Sequence, residues 1–330
     1  MTKPLLELLQ LNKTFSVTGQ HQFGKRVRLP AVCDVSLQLF AGKTLGLVGE
    51  SGCGKSTISK LIMGLIAADS GSIYYQDTCL SALSPRQWQP FRRKIQMIFQ
   101  DPYASLNPRM TVEQILAEPF AIHTTLSGAE RRSKVASLLD TVGLPATFAQ
   151  RYPHEFSGGQ RQRIGIARAL ALQPEIIIAD EPVSALDLSI QAQIINLLKD
   201  LQQQFGLTYL FISHDLSVVE HLCDEIAVMY LGRIVEQSSV EPFYRQPAHP
   251  YSEALLQALP IVDPSRRERP LPRGEIPSPL NPPTGCPFHP RCPYAIDTCR
   301  TRIAELALQA NGRYAACHRC NELNLHGLLS

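Results

Sequence analysis

The sequence predicts an α/β fold built around a phosphate-binding loop, and three observations predict it. Gly49-Glu50-Ser51-Gly52-Cys53-Gly54-Lys55-Ser56 fits the pattern G-x-x-x-x-G-K-[ST]. Two short apolar runs, 176–178 and 208–212, read as fully buried strands of the parallel type, and each is followed by polar residues. Between strand patterns, residues 111–172 carry helical spacing, which predicts a helical block off the main sheet.

Composition sets the limits. A chain of 330 residues can hold one large domain and something smaller. The net charge of +3 is too small to argue for nucleic acid or an anionic membrane surface. The first residues show no uninterrupted apolar h-region, so no signal peptide is expected. No window approaches the run of about 18 apolar residues that a membrane span needs. The expectation is a cytoplasmic protein, soluble or peripheral.

Residues 4–42 read as two or three strands, with Val35-Ser36-Leu37-Gln38-Leu39 alternating as a half-buried strand does. Upstream, Phe15 lies in Asn12-Lys13-Thr14-Phe15-Ser16-Val17, either as a stacking face for an adenine ring or as plain core. Residues 43–48 form the apolar strand that leads into the glycine loop, and 57–65 have helical spacing after it. In that context the glycines let backbone N–H groups converge on an anion, and the helix start adds partial positive charge. Lys55 would reach the β- and γ-phosphates and Ser56 would ligate Mg²⁺.

Ser70-Gly71-Ser72-Ile73-Tyr74-Tyr75 reads as turn and strand, and residues 94–100 as a strand ending on Gln100. Asp-Pro and Asn-Pro then break the chain over 101–108. Ser127-Gly128-Ala129-Glu130 is a capping box, followed by the stripe Val135, Leu138, Leu139 and Val142, and stopped by Gly143 and Pro145. Ser157-Gly158-Gly159-Gln160 opens another helix; it is either a second anion site or a simple N-cap. Asp180 and Glu181 stand at the carboxyl end of a buried strand, where charge is costly without partners or work. Asp180 suits a Mg²⁺ shell, and Glu181 suits a water that attacks phosphorus. His214 follows the next buried strand, so Gln100, Asp180, Glu181 and His214 all fall at strand ends.

This order of motifs resembles the nucleotide-binding subunit of an ABC transporter over about residues 5–237. The resemblance implies a P-loop NTPase of ABC type: a RecA-like mixed sheet core, an antiparallel β subdomain and an inserted helical subdomain at about 101–172. Residues 49–56 correspond to the Walker A loop, so Gly49, Ser51, Gly52, Cys53, Gly54, Lys55, Ser56 and Thr57 are expected on the nucleotide. Gln100 matches the Q-loop, and Ser157, Gly158, Gly159 and Gln160 match the signature, with Phe156 where Leu is common. Asp180 and Glu181 match Walker B and its catalytic glutamate, Asp187 the D-loop, His214 the switch histidine and Phe15 the adenine platform. The implied cofactors are ATP and Mg²⁺, the latter on Ser56, Gln100 and Asp180. The implied catalytic residues are Glu181 and His214. Two such chains would pair head to tail, so that Ser157 and Gly159 of one complete the site of the other.

A boundary is expected near residue 240, with an ATPase domain over 1–240 and an irregular extension over 241–330. Fourteen of the 25 prolines fall between Pro242 and Pro293. Ala248-His249-Pro250-Tyr251-Ser252 and Gly274-Glu275-Ile276-Pro277-Ser278-Pro279 resemble the C-terminal extension of ATPases serving dipeptide and oligopeptide importers. That resemblance implies an ATP hydrolase, a translocase component on the cytoplasmic face of the inner membrane. Its partners would be a second ATPase subunit (a paralogue or a copy of itself), two transmembrane permeases and a solute-binding protein, with no nucleic acid. Nickel and other peptide-like importers share the extension. The rival readings are an exporter ATPase, a non-transport ABC ATPase, and a metal- or redox-sensing module.

Of nine cysteines, four are scattered and five crowd the end: Cys286, Cys292, Cys299, Cys317 and Cys320. In a cytoplasmic chain such a cluster argues for metal rather than disulfides. Cys286, Cys292, Cys299 and Cys317 could hold Zn²⁺, an iron–sulfur cluster or nothing, and the family resemblance points to [4Fe–4S].

Overall fold

The computed structural model describes residues 3–18, 26–259, 275, 277–309 and 312–328. Gly274 and Ile276, named above for their resemblance, lie outside the described residues. The described chain divides into two compact units.

The first unit comprises residues 39–44 and 83–212. Its sheet portion is parallel: Ile95–Ile98 pairs with Ile176–Asp180, which pairs with Thr208–Ser213. Every residue of Ile176–Asp180 and of Thr208–Ser213 is buried, as a continuous apolar run covered on both faces requires. The helical block follows, in Val112–His123, Gly128–Thr141 and Gly158–Leu170. All three begin with a complete capping box, at Thr111/Gln114, Ser127/Glu130 and Ser157/Gln160. Each box satisfies two otherwise orphaned backbone N–H groups. Val135, Leu139 and Val142 are fully buried, which stabilises by about 1.5–3 kcal/mol per side chain. Gly143 ends that helix at φ +70°. The helix Leu188–Phe205 starts on Asp187, whose carboxylate accepts from the Ile190 N–H at 3.0 Å, and stops at left-handed Gly206.

The second unit comprises residues 3–38, 45–82 and 213–328. Leu6–Thr18 and Arg26–Leu39 form a four-stranded sheet with Ser70–Tyr75 and Thr78–Cys79. Thr44–Val48, the strand that carries the glycine loop, runs parallel to Glu225–Tyr230. Glu225–Tyr230 turns back through Leu231 and Gly232, both at positive φ, into antiparallel Arg233–Ser239.

The extension is less irregular than its proline content suggests. Tyr314–Ala315 pairs antiparallel with Arg233–Ser239, and Ala307–Leu308 pairs with Tyr314–Ala315. Pro250 sits at the first turn of the helix Pro250–Gln257, where a missing N–H costs nothing. The extension clusters with the N-terminal strands and the glycine loop.

Candidate functional site

The glycine loop is shaped by backbone crowding. Gly49 and Gly54 stand at φ +149° and +114°. A Cβ on Gly49 would overlap the Met229 carbonyl oxygen, and one on Gly54 would overlap that of Ala31. Only glycine fits at either place. Gly52, at φ +79°, faces open space. The helix Lys55–Ile62 starts at Gly54 without a side-chain cap, so no side chain competes for its first-turn N–H groups. Lys55 is 5% exposed, and its Nζ donates to the Gly49 carbonyl at 2.8 Å and the Glu50 carbonyl at 3.1 Å. Its ammonium is thereby aimed along the loop rather than into solvent. Cys53 is buried beside it, and burial raises the thiol above its usual range, so it stays neutral. Ser56 and Thr57 are half-buried and Ser51 is exposed.

In the first unit the strand ends bring the expected carboxylates together. Asp180 is buried at the end of Ile176–Asp180. Glu181 follows at φ +46°, a region in which a non-glycine residue costs about 1–3 kcal/mol. The turn is held by the Glu181 N–H, which donates to the Ile212 carbonyl at 2.9 Å. Gln100 Nε2 donates to Glu181 Oε2 at 2.8 Å, joining two of the expected residues directly. The Ser184 hydroxyl then donates to the Glu181 carbonyl at 3.1 Å.

The signature turn packs against the segment that follows Glu181. Ser157 Oγ accepts from the Gln160 N–H at 3.4 Å, and Gln160 Oε1 accepts from the Ser157 N–H at 3.1 Å. A Cβ on Gly159 would come within 2.5 Å of Ile190 Cγ2, and one on Gly158 within 3.3 Å of Leu186 Cδ2. Phe156 is buried edge-to-face on Phe148, so the unusual aromatic is absorbed by the helical block.

Phe15 and His214 belong to the second unit. Phe15 is half-buried on Leu6–Thr18, with Lys13 Nζ 5.7 Å from its ring centre. His214 is exposed just beyond Thr208–Ser213.

Cys286, Cys292, Cys299 and Cys317 line one small cavity of about 20 Å³ with Phe288, His289 and His318. Burial pushes the Cys292 thiol up to about 11 and Cys317 up to about 12. Cys286 is raised for the same reason. The neighbouring histidines face carbonyls instead: His289 Nδ1 lies 3.0 Å from the Cys286 oxygen, and His318 Nε2 lies 3.0 Å from that of Arg302. Among the described residues no group of three or more Cys, His, Asp or Glu is arranged to hold a metal ion. The residues as placed do not fit the cluster or Zn²⁺ expected from the spacing. Burial favours the neutral thiol at Cys286, Cys292 and Cys317, whereas a metal needs thiolates.

Sequence reasoning missed Arg291 and Tyr251, which both bind Glu50 of the glycine loop. Tyr251 lies inside a quoted motif, and Arg291 carries no local signal.

Comparison with known proteins shows the family and the fold. The family described as ABC transporter matches residues 32–184, and the family described as oligopeptide/dipeptide transporter, C-terminal region, matches residues 235–299. The chain is 51% identical to the oligopeptide transport ATP-binding protein AppF of Bacillus subtilis, over 95% of this chain and 97% of that one. It is 50% identical to the dipeptide transport ATP-binding protein DppF of Haemophilus influenzae, over 95% of this chain and 96% of that one. The ATP-binding cassette MJ0796, in a dimeric post-hydrolysis state bound to ADP and Pi, superimposes with a TM-score of 0.63 at 31% identity. That match covers 71% of this chain and 98% of MJ0796. CbiO1 of Clostridium perfringens superimposes with a TM-score of 0.62 at 27% identity, over 72% of this chain and 90% of that one.

Proposed function

The chain belongs to the ABC transporter family and carries its oligopeptide/dipeptide C-terminal region, and on that premise we propose that it powers peptide import. It is an ATP-binding and ATP-hydrolysing subunit of a peptide transporter. One observation carries the reading: a crowded glycine loop ending in buried Lys55 and the oligopeptide-type extension occur in one chain.

The residues suit both ATP and Mg²⁺. Lys55 and the uncapped first turn of Lys55–Ile62 offer N–H donors to phosphate oxygens. Ser56, Asp180 and Gln100 offer the oxygen donors that a small hard cation takes. When bound, Mg²⁺ neutralises phosphate charge as it develops. Gly49, Ser51, Gly52, Cys53, Gly54 and Thr57 line the phosphates in this proposal, and Phe15 stacks on the adenine. Glu181 orients or deprotonates the attacking water, and His214 contacts the γ-phosphate. The Gln100–Glu181 hydrogen bond supports a handover in which Glu181 exchanges an amide partner for water. Ser157, Gly158, Gly159, Gln160 and Asp187 serve the neighbouring ATPase subunit of the pair, a paralogue or a second copy. Two permeases and a solute-binding protein complete the transporter.

Among the described residues no helix is long and apolar enough to cross a membrane. In this proposal the chain attaches peripherally to the permeases at the cytoplasmic face of the inner membrane. The [4Fe–4S] or Zn²⁺ reading of the cysteine cavity takes no part in this mechanism. Iron, sulfide and zinc analysis of anaerobically purified protein tests it.

The functional test is uptake into vesicles holding the assembled transporter. Labelled di- and oligopeptides are expected to accumulate with ATP, and uptake of Ni²⁺ without peptide would overturn the peptide assignment. Glu181→Gln is expected to retain ATP binding while slowing hydrolysis about 100-fold or more. Near-normal turnover would remove Glu181 from the mechanism.

A further inference from the structure

We infer that the C-terminal extension clamps the phosphate loop, with Arg291 and Tyr251 as positioning residues for ATP binding. The inference rests on the ATPase reading above. Glu50 is the second residue of the loop. Arg291 Nη1 donates to Glu50 Oε2 and Nη2 to Oε1, each at 2.9 Å, a two-pronged charged pair. The two side chains are 9% and 23% exposed, so water screens the pair little. The Glu50 backbone N–H donates to the Tyr251 hydroxyl at 2.9 Å. Its carbonyl accepts from Lys55. It also accepts from the Cys53 N–H at 3.3 Å. Every polar group of this loop residue therefore has a fixed partner, and two of the four partners come from the extension, 201 and 241 positions away.

Arg291 and Tyr251 are themselves held rigidly. The rings of Tyr230 and Tyr251 lie 4.6 Å apart, and Phe288 sits 5.4 Å from each. All three are at most 1% exposed. The Arg291 guanidinium lies 5.7 Å from the Phe288 ring centre and 6.0 Å from that of Tyr230. The helix bearing Tyr251 is anchored by the Glu236 carboxylate, which accepts from the Ala248 and His249 N–H groups at 2.8 Å each. At its far side the Glu253 carboxylate accepts from the Tyr294 hydroxyl at 3.0 Å and from the His326 N–H at 2.8 Å.

The chemistry explains why such a clamp matters. A carboxylate inside a loop that receives a polyanion repels it at close range. Arg291 neutralises that charge and fixes its direction. Without Arg291, Glu50 would stand uncompensated beside the phosphates, and the loop would lose its outer tether. The two effects separate by mutation, because Glu50→Gln removes the repulsion even when Arg291 is absent.

The test is binding of a fluorescent ATP analogue with Mg²⁺ to the full-length chain, with Tm recorded for each variant. Arg291→Ala is expected to weaken binding about tenfold, and adding Glu50→Gln is expected to restore it to within about threefold of the original. Tyr251→Phe is expected to weaken binding about threefold while leaving the ring packing intact. An Arg291→Ala affinity within about twofold of the original overturns the clamp, as does a double variant no better than the single one. If Arg291→Ala does not fold, Arg291→Lys decides. It keeps the charge and loses the fork, so about threefold weakening supports the clamp and unchanged affinity overturns it. Failure of the unaltered chain to bind ATP would overturn the ATPase reading, and the clamp with it. Normal binding by that chain with unaltered Arg291→Ala affinity overturns the clamp alone.

Discussion

The phosphate loop and the signature turn are both helix starts rich in glycine, yet they are stabilised by opposite means. The signature helix is capped by its own neighbours, through reciprocal bonds between Ser157 and Gln160. Its glycines have ordinary helical φ and are required by packing, since Gly159 lies under Ile190. The helix after the phosphate loop has no side-chain cap. The glycines of the loop are required by backbone conformation, and the loop's second residue, Glu50, is tied to Tyr251 and Arg291. A cap donates the helix N–H groups to the chain itself, whereas an uncapped start leaves them for a ligand. The phosphate loop is therefore held from outside, by Arg291 on the Glu50 carboxylate and by Tyr251, which takes the Glu50 N–H but caps none of the helix's first-turn N–H groups.

The largest expected effect breaks the comparison at its functional end. Lys55→Ala should weaken ATP-analogue binding by the isolated chain about 100-fold or more, because a charge-assisted contact is lost. Ser157→Ala in the same assay should leave binding within about twofold, since in the proposed mechanism the signature serves a neighbouring subunit. Equal losses from both would erase the distinction.

The glycines give the next effect. Gly54→Ala combines a forbidden φ with overlap on fixed backbone, and should cost about 3 kcal/mol or more, read by denaturant unfolding. Gly159→Ala meets only a side chain, and should cost about 1–3 kcal/mol. Ile190→Ala should recover much of that second loss. No change at Ile190 can rescue Gly54→Ala.

The remote support of the loop also makes a pH prediction. Burial raises the Glu236 carboxyl to about 7, from an unfolded value of 4.5. The folded state therefore binds the extra proton between those values, and stability falls as pH rises from about 4.5 to about 7. Burial lowers His249 to about 3, which works in the opposite direction below its unfolded value of 6.5. Comparing the protein with Glu236→Gln isolates the carboxyl. The difference in Tm should move against the unsubstituted protein across that window and level off above pH 7. A flat difference would show that the two N–H bonds to Glu236 compensate its burial. The smallest effect is the loss of a local cap: Ser157→Ala should cost about 1 kcal/mol of stability.

Much of this was legible in the sequence because the signals are short. The glycine loop, the capping boxes at Ser127 and Ser157, the buried run Ile176–Asp180 and the stop at Gly206 each lie within a few residues. Their physics is local: a φ that only glycine adopts, a side chain within reach of the next turn, an apolar run that cannot face water. The cysteine spacing was also visible, but spacing does not set thiol geometry. The four thiols share a cavity without forming a metal-holding set.

By itself, then, the sequence determined the glycine loop between its strand and helix, which strand ends carry Gln100, Asp180 and Glu181, and where two helices of the inserted block begin, at Ser127 and Ser157. Only the tertiary structure decided that Gln100 bonds Glu181 across 81 positions, that Gly159 must make room for Ile190, and that Glu50 answers to Arg291. The reason is that a conformational preference belongs to a residue and its near neighbours. A contact between distant side chains exists only once the elements between them have packed, and no short pattern encodes that packing.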